Sequence, residues 1–407
     1  MSTGNSLSPR FLRCKRRKIE LNFDGGSVSS DAGALLLRGV DQKIGLTRDI
    51  AKILSDERRR RSCRHQGAAM LRQRVYALAC GYEDLNDHET LRNDIALQSA
   101  VGSDCELASP STLSRFENSL VWEDLVNIQK TIVEKFVASF AKPPKELILD
   151  FDSTADRVYG EQDGKYYHRL YNGHVFLPLY VFCDDQLLVS YLREGWAQCH
   201  YHAGAILRLL VNRMRREWPK VKIIFRADAG FSKGMIYSCC ERNNVGYIVG
   251  TQAYKPYKTR AKSALAQAEK KHKRTGKKRF HYSSFRYGKK GQWRRDRRIL
   301  VKAECDGFGP SARFVVTNLK GRAKELYTKT YNPRGDMENR IKEQKNYLFS
   351  DRTSSSDWCA NQMRLLISSL AYILVSHLRR NHLQNTSLKA AQVMTCLLYT
   401  SPSPRDF

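Results

Sequence analysis

Hydrophobic positions recur at helical spacing in the first third of the chain and at strand spacing after it. Residues 32–40 are apolar enough for a helix, and Met70, Leu71, Val75, Leu78 and Ala79 predict a second over residues 66–80, stopped by Gly81. Ser109-Pro110-Ser111-Thr112 reads as a capped helix start, with Glu117 early in the run that follows. Residues 19–23 alternate like a short entry strand before Asp24-Gly25-Gly26. The grammar changes after Pro143-Pro144. Strands are predicted over residues 146–152, 175–182 and 187–192, then a helix over 203–218 and a largely apolar strand over 221–228. Another helix is predicted to about residue 243, and a further strand over 247–249. Hairpin-like strands followed by alternating helix and strand predict a mixed α/β sheet behind a mainly helical N-terminal domain.

Near the C-terminus, a helix from about Arg334 would carry Met337, Ile341 and Leu348 as an apolar docking stripe. Beside it, Tyr331, Arg334, Glu338 and Lys345 recur at spacings that share one polar face. A glutamate between cations suits metal and phosphate chemistry, and it equally suits a solvated helix with ion pairs. Residues 365–375 form the longest apolar run and read as a buried helix, too short to span a bilayer.

Composition narrows the partner. The chain of 407 residues is 42% apolar, enough for real cores in two or three domains. Its 70 Lys+Arg against 41 Asp+Glu leave a formal charge of +29, which points to a polyanion such as nucleic acid. Eleven cysteines without a Cys-x-x-Cys pair read as reduced thiols in a cytoplasmic protein, and the first 18 residues hold no secretory apolar core. The charge is concentrated: residues 255–302 hold 11 Lys and 8 Arg against Glu269 and Asp296. Aromatics from Tyr254 to Trp293 are interleaved there, which suits backbone neutralisation with base stacking by a basic, β-rich insertion. Its candidate DNA contacts are Trp293, Arg294, Arg295, Arg297 and Arg298, with Trp293 a candidate to stack on an extruded base. The arginine run at 58–61 is expected to be a solvated face, and a basic cluster at 15–18 stands ahead of the entry strand.

Asp150 and Asp152 lie two apart on one strand and share a face, and Asp228 ends another strand before a glycine turn. Chemistry in open α/β sheets gathers at strand carboxyl ends, so Asp152 and Asp228 are expected to meet there, with Glu338 completing the set. Three converging acids repel unless a cation compensates, and divalent metal is the natural remedy. His200 and His202 are the other metal-ligand candidates, although a pair beside a helix start is more often ordinary surface or core.

These residues resemble a known family. Asp152-Ser153-Thr154, Arg226-Ala227-Asp228-Ala229-Gly230-Phe231 and the Tyr331, Arg334, Glu338, Lys345 spacing are similar to the three blocks of bacterial insertion-sequence DDE transposases of the group 1 type. The likeness extends through residues 81–87, 109–117, 177–179, 351–353 and 361–365, and covers about residues 18–393. It implies a ribonuclease H-like core over residues 141–250 and 321–394, a helical DNA-binding domain over 1–140 and an insertion over 251–320. It also implies two Mg²⁺ or Mn²⁺ ions on Asp152, Asp228 and Glu338, with Tyr331, Arg334 and Lys345 on DNA phosphates. The expected partners are terminal inverted repeats, target DNA and a second copy in a homodimeric synaptic complex, without a membrane. Ala229 stands where the family often has serine, and residues 395–407 are expected to be a tail foreign to the natural protein. An inert DNA-binding derivative and a standalone metal nuclease are the competing readings.

Overall fold

The computed structural model describes residues 31–54, 63–288, 293 and 295–386. The basic cluster at 15–18, the strand expected over 19–23, the arginine run at 58–61, Arg294 and the tail at 395–407 lie outside these residues.

The strands, in chain order, are β1 (Glu146–Ser153), β2 (Asp156–Arg157), β3 (Tyr166–His168), β4 (Gly173–Phe176), β5 (Leu179–Cys183), β6 (Gln186–Tyr191), β7 (Lys222–Ala227), β8 (Gly246–Thr251), β9 (Arg279–Tyr287), β10 (Arg297–Asp306) and β11 (Gly309–Thr317). Eight of them form a mixed sheet that runs through the molecule in the order β6-β5-β1-β7-β8-β11-β10-β9. β1, β7 and β8 are parallel to one another, whereas β5, β6 and the β9–β11 meander join by antiparallel pairing. The other three form a separate small sheet in the order β2-β4-β3.

Strand periodicity sorts the side chains into two cores. Leu147, Leu149, Phe151, Ile223 and Phe225 face a core shared with the helices Ala203–Glu217, Gly234–Arg242 and Lys262–Thr275. Tyr180 and Phe182, on the other face, join the core of the N-terminal helices and the long helix Trp358–His382. Ile224, Ile248 and Leu300 on that same side are covered by Leu326 and Tyr327. The N-terminal helices thus share one core with the C-terminal helix. Leu365, Leu370 and Val375 of that helix are fully buried, as the apolar run requires.

Two expectations change. The strand expected over residues 175–182 is broken at Leu177-Pro178: β4 belongs to the small sheet and β5 to the large one. Proline lacks the N–H that a continuing ladder needs, so the chain changes sheets there. The basic insertion begins with two helices, Lys255–Arg260 and Lys262–Thr275, and its three strands extend the main sheet through the β8–β11 pairing. Ala264 and Ala268, four apart and buried, give the second helix its docking face beneath the charges.

Candidate active site

The acids are placed by strand register. β1 and β7 pair in parallel with Phe151 opposite Ala227, so one step further along Asp152 and Asp228 stand side by side on one face of the sheet. Phe151 points the other way, where its ring lies 4.6 Å from Phe225 and 6.4 Å from Phe231. Asp228 turns the chain: its Oδ1 accepts the Gly230 N–H at 2.9 Å and caps the turn Ala229–Phe231. Asp152 Oδ1 accepts the Ser153 N–H at 2.8 Å. Burial, then the Asp228 charge, pushes the Asp152 pKa up to about 7 against the opposing pull of Arg334. Burial likewise raises Asp228, against the Gly230 N–H and Arg334.

Glu338 arrives on the helix Gly335–Leu348, which buries Met337, Ile341, Gln344 and Leu348. The expected apolar stripe is therefore the docking face. Arg379 Nη1 and Nη2 donate to Glu343 at 2.7 and 3.0 Å and tie this helix to Trp358–His382. Arg334 reaches both sides of the cleft, 3.4 Å from Asp152 Oδ2 and 2.6 Å from Glu338 Oε1. Burial opposes its charge, but Asp152, Tyr331 and Glu338 together raise its pKa. Asp152, Asp228 and Glu338 thus stand close enough for their charges to act on one another, with the Arg334 guanidinium between Asp152 and Glu338. Among the described residues, no three His, Cys, Asp or Glu side chains are grouped closely enough to hold an ion. His200 and His202 form no such group either, and His202 instead stacks on Tyr201 at 3.9 Å.

Tyr331 adjoins Arg334 and Asp228, and Lys345 braces the chain just beyond Asp152. Tyr331 lies in a π-helical turn, Leu326–Tyr331, rather than on the helix of Glu338, so it does not share the expected polar stripe. Its hydroxyl lies against Gly250, where a Cβ would collide with it. Lys345 Nζ donates to the Ala155 carbonyl at 2.7 Å and stands 3.1 Å from the buried Asp156. It therefore holds the chain just after Asp152 against the Glu338 helix.

The residues expected to bind DNA from the insertion lie elsewhere. Arg297 and Arg298 open β10, beside the start of β8, whereas the acids stand at the other ends of β1 and β7. Arg297 is 3% exposed, donates twice to Glu241 at 3.0 Å and lies over the Trp293 ring at 5.3 Å. Trp293 is partly buried and packs edge-on against Tyr237 and Tyr287 at the margin of the core. Packing against the helix side of the sheet turns these aromatics inward, which charge interleaving alone did not reveal. Arg295 pairs with Glu241 at 3.3 Å, and Arg298 donates to the Gly321 carbonyl at 2.9 Å. Both line a cleft of about 1010 Å³ with Arg215, Lys220, Lys222 and Lys320.

Sequence reasoning missed several supports. Arg226 pairs with the buried Asp150 and donates to the Thr330 carbonyl at 2.7 Å, fixing the Tyr331 turn to the sheet. Arg352 joins Glu83 and Asp84, and Arg364 joins Glu117, so separate blocks of the family resemblance clasp one another. Opposite charges in those blocks were the available signal, but pairing over such separations needs the fold.

Neighbouring acids on a chain this basic suit a polyanionic partner, whose phosphates meet surface cations. The family comparison specifies the class: the model for the transposase DDE domain group 1 matches residues 11–398. The chain belongs to that family and is a DDE transposase, an enzyme of DNA transposition and recombination. Comparison with curated proteins finds no match. Among the described residues, no helix is long and apolar enough to cross a membrane.

Proposed function

We propose that this transposase works by metal-dependent cut-and-paste: hydrolysis at the ends of an insertion sequence, then strand transfer into target DNA. The observation that carries the reading is the parallel register that sets Asp152 beside Asp228, with Arg334 linking Asp152 to Glu338. The strand order β6-β5-β1-β7-β8, antiparallel then parallel, supports a ribonuclease H-like core.

Asp152, Asp228 and Glu338 would hold Mg²⁺ or Mn²⁺, two ions in all. Their oxygen donors suit a hard cation, which would take the place that Arg334 holds between Asp152 and Glu338. The chemistry such ions would supply there is activation of the attacking oxygen and stabilisation of the leaving one. Arg334 is placed to turn from the acids to a phosphate, which its planar fork suits. Arg295 and Arg298, with the basic cleft they line, are proposed to follow the DNA backbone away from the acids. Joining two ends calls for two copies of the chain.

The test is a Mg²⁺-dependent assay on DNA carrying the repeats that flank the gene. Cleavage with joining supports the reading. Cleavage alone indicates a nuclease, and binding alone an inert derivative.

A further inference from the structure

The surface beside the acids exposes more aromatic area than isolated surface residues account for. Tyr166, Leu170, Tyr171, Trp196 and Tyr201 all reach solvent, Leu170 at 79% and Trp196 at 50% exposure. Single exposed apolar side chains are ordinary, but a contiguous set marks a contact surface. Contiguity follows from the packing. A Cβ on Gly195 would lie 2.9 Å from Tyr166 Cβ, which sets Trp196 next to β3, and the Trp196 and Tyr201 rings are 5.0 Å apart. Cys199, in the same segment, lies against Gly230 just after Asp228. Tyr171 stands on the turn between β3 and β4, its ring 4.9 Å from His168. Burial, then the charges of Cys199, Asp152 and Asp228, raises its pKa, in keeping with a place at the cleft. Two exposed cations accompany the rings: Arg169, next to Leu170, and Lys233, whose charge acts on His200 beside Tyr201.

We propose that this aromatic rim stacks on unpaired bases of the DNA strand led into the cleft. The inference rests on the transposase reading for its substrate. Asp152 and Asp228 are largely buried, and a strand parted from its complement reaches them more readily than an intact duplex does. Flat rings beside cations suit that strand, because every base offers a π-face and every nucleotide a phosphate.

The test uses the full chain with EDTA present, so that binding is read without cleavage. Fluorescence anisotropy compares a blunt duplex with the same duplex carrying a short unpaired thymine tail. Wild type is expected to prefer the tail. Tyr171→Ala with Trp196→Ala should weaken tailed-duplex binding by about 10- to 100-fold, as loss of stacking on one or two bases implies, and leave blunt-duplex binding unchanged. Tyr171→Phe with Trp196→Phe should restore the preference, which separates stacking from misfolding. Equal weakening on both duplexes, or none on either, overturns the inference. So does loss of self-association with tail preference intact, which assigns the rim to a second copy. Cleavage of the flanking repeats by wild type is scored separately, so the transposase reading can stand when the rim fails.

Discussion

Glu117 and Asp152 are acids that the fold withdraws from water, in different company. Glu117 is fully buried between Arg74, at 2.6 Å, and Arg364, at 3.1 Å, and joins the N-terminal helices to the C-terminal one. Asp152 has Asp228 beside it and one shared arginine, at 3.4 Å, so its charge is under-compensated. The first arrangement holds helices together. The second leaves two buried acids side by side, which is the arrangement the proposed cation site calls for.

The largest contrast should come from Glu338→Gln. Cleavage is expected to fall by about 10³-fold or more, several kcal/mol of barrier, with DNA binding and the urea midpoint nearly unchanged. Normal cleavage would remove Glu338 from the site. Glu117→Ala should do the reverse: stability drops by about 3–5 kcal/mol in urea titration because two arginines lose their shared buried partner. A loss of only a few tenths would erase the distinction between the two acids.

The pH response sharpens the comparison next. The Asp152 carboxyl has its pKa raised from 3.8 to about 7 in the folded chain, so between those values the folded state holds a proton that the unfolded state has released. Metal-free stability should therefore fall as pH rises from about 4 to about 7, with at most about 1.4 kcal/mol per pH unit from Asp152 alone. Asp156, also raised to about 7, contributes in the same direction, so Asp152→Asn should flatten the profile in part. An unaltered profile in calorimetry would count against the burial of Asp152 beside Asp228. The smallest effect is expected from Gly250→Ala, about 1–3 kcal/mol, as the new methyl displaces the Tyr331 hydroxyl. Cleavage should suffer with it, because Tyr331 adjoins Arg334.

Local pattern made much of this legible. Alternation at Asp150, Phe151 and Asp152 showed which acids share a face, and the spacing of Met337, Ile341 and Leu348 showed which side of the Glu338 helix docks. The family blocks carried the transposase assignment. Trp293 and Arg297 carry residue types that suit DNA as well as they suit a core, and only the packed chain shows Arg297 paired with Glu241 beneath the Trp293 ring. Lys345 is similar: its spacing placed it near the site, but not against Asp156.

By itself, then, the sequence determined most of the element types, which acids share a strand face and the polyanionic character of the partner, because these follow from periodicity and charge carried by each stretch alone. Tertiary structure decided which cations meet which acids, and on which end of the sheet each stands. Those pairings join residues far apart in the chain, and no local pattern encodes a distance that folding alone brings about.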